Sequence, residues 1–194
     1  MIGDDLIYNI NMSNGSIVLE GSHGTSKTAF EGIKIHGFQI PRSGRMRLGS
    51  GVYFWKKCDF WRELAIAWIR QRRDEYNSNE KNGIIIFCSF PVEEIKILSI
   101  GKELRVSIYK FAKASSCNMN NKNEIAKIFD WYINKLEKEN GIKYYIIEGE
   151  VNPPNTRYFN GIIRYPSPIL GQPITLAIRE LSCIQHKHEE EISL

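Results

Sequence analysis

No stretch of this 194-residue chain stays apolar for the roughly 20 residues a membrane-spanning helix needs. Its start, Met1-Ile2-Gly3-Asp4-Asp5, is acidic where a secretory leader is basic, so a cytoplasmic protein with no membrane partner is expected. Cysteine is scarce: Cys58, Cys88, Cys117 and Cys183 lie far apart, without a C-x-x-C pair or a histidine at zinc-ligand spacing. No metal site is expected, and Cys88, inside an apolar run, reads as a buried thiol. Charge of one sign is also in short supply, since 26 Lys and Arg face 22 Asp and Glu, a net of +4. That balance permits an anionic partner but falls short of the clustered footprint of a dedicated nucleic-acid binder. No internal repeat is visible. What remains is an ordinary soluble composition, 42% hydrophobic, long enough for one domain with a real core.

Local signals divide the chain clearly. Leu6–Met12 and Ser16–Glu20 flank Asn14-Gly15, a hairpin signal because both turn residues tolerate positive φ. Ser26 suits the N-cap of a short helix with Ala29 and Ile33 on one face and Gly37 at its end. After a basic loop, Pro41 to Arg47, and a Gly49-Ser50-Gly51 turn, residues 52–55 read as a strand. Asp59 suits the N-cap of a helix reaching about Tyr76, with Trp61, Leu64, Ala65 and Trp68 inward. Residues 84–90 form a buried strand ended by Pro91, and 95–100 a shorter one. Helical periodicity follows at Leu104, Ile108, Phe111 and Ala112, and again from Ile125 to Leu136, closed by Gly141. Residues 143–151, 158–165 and 173–181 are strand-like, the last being the final strand; the charged tail from His186 to Leu194 is expected to fray. Strands at both ends with helices between them predict an α+β domain with a mostly antiparallel sheet.

Gly21 to Thr28 has the outline of a phosphate-binding loop, but Ser26 stands where the glycine before Lys27 is required, so nucleoside-triphosphate chemistry is not expected. A different pattern fits better. His23-Gly24-Thr25 at a strand end is followed by a helix, by Gly37-Phe38, and then by Leu48-Gly-Ser-Gly-Val-Tyr-Phe54. Ala65 to Trp68 supplies an alanine-x-x-tryptophan helix, and Ile178-Arg179 to Cys183-Ile184 an apolar-arginine-x-x-x-cysteine-isoleucine ending. Together these blocks resemble the ADP-ribosyltransferase superfamily, in its histidine-tyrosine-glutamate branch (the poly(ADP-ribose) polymerase and diphtheria toxin type), and small bacterial toxin-like members above all. The resemblance implies an ADP-ribosyltransferase-like split sheet with flanking helices, and NAD+ as co-substrate.

The residue types suit that ligand. His23 can donate a hydrogen bond to the adenosine-side ribose, and Tyr53 offers a ring face for nicotinamide stacking. Gly24, without a Cβ, lets the backbone meet the carboxamide; Gly49 and Gly51 allow a sharp turn toward the cofactor, and Thr25 completes the binding set. The family's glutamate steadies the cationic transition state as nicotinamide leaves. Matching the 173–179 strand to the family puts Thr175 or Gln172 there, and neither is a carboxylate. Glu150 ranks first as substitute, with Glu148 two residues away on the same strand face and Glu180 a further option. Arg42, Arg45 and Arg47 in the loop, and Arg70, Arg72 and Arg73 at a helix end, can hold phosphates, while the helix set also suits a negative dipole end. Trp61 is a candidate pocket wall or a core residue. The expected function is mono-ADP-ribosyl transfer from NAD+ to a macromolecular acceptor, nucleic acid being favoured slightly over protein. The resemblance further implies a toxin of a toxin–antitoxin or phage-defence system with a neutralising antitoxin protein. NAD+ glycohydrolysis and an inactive NAD+-binding module are the alternatives.

Overall fold

The computed structural model describes residues 15–41, 48–118, 120–159 and 171–194. Within them seven strands build one sheet: β1 (Ser16–Ser26), β2 (Val52–Lys56), β3 (Asn82–Glu93), β4 (Ile97–Ile100), β5 (Ile146–Glu150), β6 (Ile174–Ile178) and β7 (Gln185–Ser193). Their order across the sheet is β4-β5-β6-β2-β1-β3-β7. All neighbours run antiparallel except β4 and β5. Four helices complete the described fold: α1 (Lys27–His36), α2 (Trp61–Glu75), α3 (Lys102–Ala114) and α4 (Lys122–Asn140). The parallel β4–β5 pair requires a long crossover, which α3 and α4 provide. The architecture is α+β, a mostly antiparallel sheet with helices on its flanks.

Both faces of the sheet are covered. Ile85, Phe87, Ile147 and Ala177 pack with Leu64, Ala65 and Ile69 of α2, and with core residues of α3 and α4. Ile84, Ile86, Cys88 and Phe90 face the other way, with Phe54, Leu176 and Phe30 of α1. Burial on both faces is why β3 reads as a continuous apolar run instead of an alternating one. Helix ends follow their local chemistry. The Ser26 side chain accepts from the Ala29 N–H at 3.1 Å, and Gly37 and Gly141 end α1 and α4 at φ +70° and +66°. Among the described residues no helix is long and apolar enough to cross a membrane.

Several expectations need correction. The tail expected to fray from His186 instead forms most of β7 (Gln185–Ser193), paired antiparallel along β3. Contacts from neighbouring elements compensate for the tail's polarity: Lys27 of α1 pairs with Glu191 at 2.8 Å, Arg62 of α2 with Glu190, and His188 stacks on Phe87 of β3 with ring centroids 4.4 Å apart. Charged side chains suit a strand at a sheet edge. The 173–181 segment is therefore not the final strand. Pro91 does not end β3, which continues to Glu93; the ladder to β7 stops at Ser89, so Pro91 is paired only with β1 and its missing N–H costs nothing on that side. Asp59 is not the α2 N-cap; Phe60 holds that position, with no side-chain capping hydrogen bond. Tyr158 lies in a 3-10 turn, Thr156–Tyr158, not in a strand. Residues 6–12, the arginines 42, 45 and 47, and residues 160–165 fall outside the described residues.

Candidate functional site

The sheet is not zipped evenly. β1 and β2 pair only at Gly21–Lys56 and Ser22–Trp55, whereas β1 stays in register with β3 along its whole length, from Ser16 to Ser26. Beyond Ser22 the strands part. β1 carries His23, Gly24 and Thr25 along one side of the gap, and β2, entered through Gly51, carries Tyr53 along the other. The gap opens into a cavity of about 1040 Å³ lined by these five residues and by Thr175 of β6. That volume lies at the upper end of the ~300–1,000 Å³ usual for small-molecule sites. Of the residues singled out from sequence for cofactor binding, all five thus meet in one place.

His23 bridges the gap where a backbone ladder bond would otherwise run. Its Nδ1 lies 2.8 Å from the Tyr53 carbonyl oxygen. A carbonyl only accepts, so Nδ1 carries the proton. Burial pushes the His23 pKa down, and the bond to the Tyr53 carbonyl only partly offsets this. The ring is therefore neutral near pH 7, and Nε2 presents a lone pair. In this tautomer Nε2 can accept a hydrogen bond but cannot donate one. Phe38 and Phe54 flank the ring with centroids 5.5 and 5.4 Å away and fix its plane. The same desolvation makes a prediction about stability. An unfolded histidine titrates near about 6.5, above the folded value, so the unfolded chain binds more protons as pH falls. His23's contribution is fully present above that pH and declines below it. Urea unfolding midpoints from pH 8 to 5 are expected to fall for the wild type, with a shallower slope in His23→Gln.

Tyr53 is held by its hydroxyl, which accepts from the Leu48 N–H at 2.8 Å and donates to the Gly49 carbonyl at 2.6 Å. Together these bonds anchor the hydroxyl end of the side chain. Two of the glycines are also demanded by packing. A Cβ on Gly24 would lie 2.4 Å from the Ala65 carbonyl oxygen and 2.8 Å from Ile69 Cγ1, so Gly24 is required by the close approach of α2. Gly51 is pressed against β6, where a Cβ would lie 3.1 Å from the Ile178 oxygen. Gly49 does make the expected sharp turn, at φ +84°.

Helices supply the remaining walls. α1 buries Phe30 and turns Ala29, Gly32, Ile33 and His36 toward the cavity, so the Ala29–Ile33 face serves the pocket. Arg72 and Arg73 of α2 also line it; Arg72 is flanked by Trp68 and Tyr76, 5.4 and 4.4 Å from the ring centroids, and pairs with Glu75 at 3.0 Å. Arg70 donates instead to the Tyr158 carbonyl at 3.3 Å. Trp61 is a packing residue, edge-on to Phe87 with centroids 4.9 Å apart. Sequence reasoning missed Glu80, whose Oε1 accepts from the Thr28 N–H at 2.7 Å at the start of α1. Burial raises its pKa, but hydrogen bonds from Thr28, Ser26 and Lys27 outweigh that and hold it low. No local pattern announces a cap from a residue so distant in the chain.

The candidates for the third position separate. Glu148 and Glu150 border a different cavity of about 620 Å³ beside Lys102 and Arg105. Register explains this, because Gly149 pairs with Thr175, so the two glutamates on either side of Gly149 project from the opposite face. Glu148 pairs with Lys56 at 2.7 Å and accepts from Ser99 Oγ at 2.5 Å, while Glu150 is exposed. Glu180 caps a 3-10 turn by accepting from Ser182 Oγ at 2.9 Å. Thr175 alone among them joins His23 and Tyr53. It pairs with Trp55, as Ala177 pairs with Tyr53, which places Thr175 on the same sheet face as the Tyr53 ring. Thr175 is 4% exposed, and its Oγ1 has no hydrogen-bond partner among the described residues. Gln172 Oε1 is likewise unpartnered among them, but Gln172 does not line the cavity. No protein-family model matches this chain, and no curated protein matches it.

Proposed function

We propose that the cavity binds NAD+ and that the protein is a mono-ADP-ribosyltransferase acting on a macromolecular acceptor. The observation that carries this reading is the convergence of His23 and Tyr53, from two strands that part, on one cavity large enough for a dinucleotide. In this scheme neutral His23 accepts from the adenosine ribose, and the pinned Tyr53 ring stacks on nicotinamide. Arg72 and Arg73 lie where the pyrophosphate can reach them. The bond between nicotinamide nitrogen and ribose breaks with its electron pair going to nicotinamide, which leaves neutral. The acceptor then bonds to the cationic ribose carbon and gives up its proton. Nucleic acid remains the favoured acceptor class on the chain's net charge of +4. A cytoplasmic toxin role, in toxin–antitoxin or phage defence and held by a neutralising protein, belongs to the same reading and rests on the resemblance.

Geometry favours Thr175 over Glu150 as the third group, because Thr175 lines the cavity and its buried Oγ1 has no hydrogen-bond partner among the described residues. A neutral group there stabilises positive charge less than a carboxylate does. That observation supports one second reading, in which NAD+ is hydrolysed slowly or only bound. Incubation with NAD+ labelled in its adenylate part and cell extract separates them: label on a macromolecule means transfer, free ADP-ribose means hydrolysis, and intact NAD+ means binding at most. Thr175→Val provides a sharper check. Removing an unsatisfied buried hydroxyl without changing shape is expected to leave thermal stability equal or slightly higher. Loss of one ligand hydrogen bond, about 1 kcal/mol, is expected to slow NAD+ turnover about fivefold to tenfold. Unchanged turnover would remove Thr175 from the site.

A further inference from the structure

The Tyr53 ring is held through contacts that begin on the far helix α4. Leu48 is fully buried and anchors one end of the turn before β2. At the other end Asp130 of α4 grips Ser50 twice, Oδ1 accepting from the backbone N–H and Oδ2 from the hydroxyl, each at 2.7 Å. Between them, Gly49 leaves room for this grip, since a Cβ there would lie 2.6 Å from Asp130 Oδ1. The Leu48 N–H and Gly49 carbonyl held in this way are the two groups that clasp the Tyr53 hydroxyl. A charged acceptor bonded twice is among the stronger ways to fix a loop.

We propose that Asp130 is a positioning residue for Tyr53: it fixes the Leu48–Ser50 turn and thereby the position of the hydroxyl end of the Tyr53 side chain beside the cavity. Asp130 itself does not line the cavity. The consequence for NAD+ rests on the proposed function, while the consequence for the turn does not. Two readouts therefore run side by side.

The first is amide hydrogen exchange in the protein without ligand, comparing wild type, Asp130→Ala and Asp130→Asn. In Asp130→Ala the Leu48 and Ser50 amides are expected to exchange about 100-fold faster, while those of Ile85, Ile86 and Phe87 in β3 keep their protection. In Asp130→Asn the side-chain oxygen still accepts from the Ser50 N–H and the side-chain amide donates to Ser50 Oγ, so protection is expected to return. If Asp130→Ala fails to fold, Ser50→Ala, which loses only the hydroxyl contact, is expected to show the same change at smaller size. Unchanged Leu48 protection in the alanine variant overturns the proposal.

The second readout is the affinity for NAD+ beside that for ADP-ribose, which lacks nicotinamide. A positioning role predicts about tenfold weaker NAD+ binding in Asp130→Ala with ADP-ribose affinity unchanged, and wild-type values in Asp130→Asn. Equal weakening of both ligands means general loosening and overturns the positioning role. If the wild type binds neither ligand, the NAD+ reading fails, and the exchange data alone still decide whether Asp130 holds the turn.

Discussion

Tyr53→Ala is expected to lower NAD+ turnover by about 100-fold to 1,000-fold, a loss of about 3–4 kcal/mol in transition-state stabilisation. Two contributions add. The stacking face is lost, and so are the hydroxyl contacts to Leu48 and Gly49 that shape the entrance to β2. Tyr53→Phe separates them, because the ring survives while the Leu48 N–H and the Gly49 carbonyl lose their partner. That variant is expected to fall in between, about 5-fold to 20-fold below wild type, since the two groups left without the hydroxyl loosen the turn at a cost of about 1–2 kcal/mol. The phenylalanine variant is also the control for folding. A near-native melting temperature with reduced turnover places the defect in the site; wild-type turnover in Tyr53→Ala would remove Tyr53 from the chemistry.

Gly24→Ala is expected to be the most damaging small substitution in the strand, for a reason unrelated to the ligand. Its methyl group would press on the Ala65 carbonyl of α2 at 2.4 Å, and a backbone oxygen inside a helix cannot swing aside as a side chain can. α2 must therefore shift as a body or β1 must bend, at a cost of about 3 kcal/mol. For a chain of this size that corresponds to a fall of roughly 6–12 °C in Tm. Gly32→Ala provides the contrast. Nothing lies within 4 Å of a Cβ at Gly32, which sits inside α1. The same change there is expected to stabilise by about 0.5–1 kcal/mol through helix propensity alone. Calorimetry on the two variants checks the packing of α2 on β1 without reference to any function.

How much of this was legible in the sequence depended on whether the deciding interaction was local. Ser26, Gly37 and Gly141 end or begin helices through their own backbone and side-chain chemistry, and their positions were readable directly. The apolar periodicities of α3 and α4 were equally plain. The tail was misread because its pattern is polar, and only the ladder to β3 and ion pairs with Lys27 and Arg62 make it a strand. Asp59 had the right chemistry for a cap, but the chain delivers Phe60 to that position. His23 and Tyr53 were readable as a pair, and the structure brings both to one cavity. Glu150 was reached by strand alternation counted within one segment; register with β6 is tertiary information, and it sends Glu150 to the opposite face from Thr175. Asp130 was not legible as anything but a polar residue on an amphipathic helix, since its partner Ser50 lies 80 residues away.

The strands parting after Ser22 open a cavity in an otherwise ordinary sheet, and NAD+ occupancy of that gap is the central proposal. Titration calorimetry of the purified protein with NAD+ tests it most directly, with His23→Ala and Tyr53→Ala measured in parallel. Saturable one-to-one binding is expected for the wild type, weakened at least tenfold by either substitution. Absence of binding, or binding that neither substitution alters, would contradict the account.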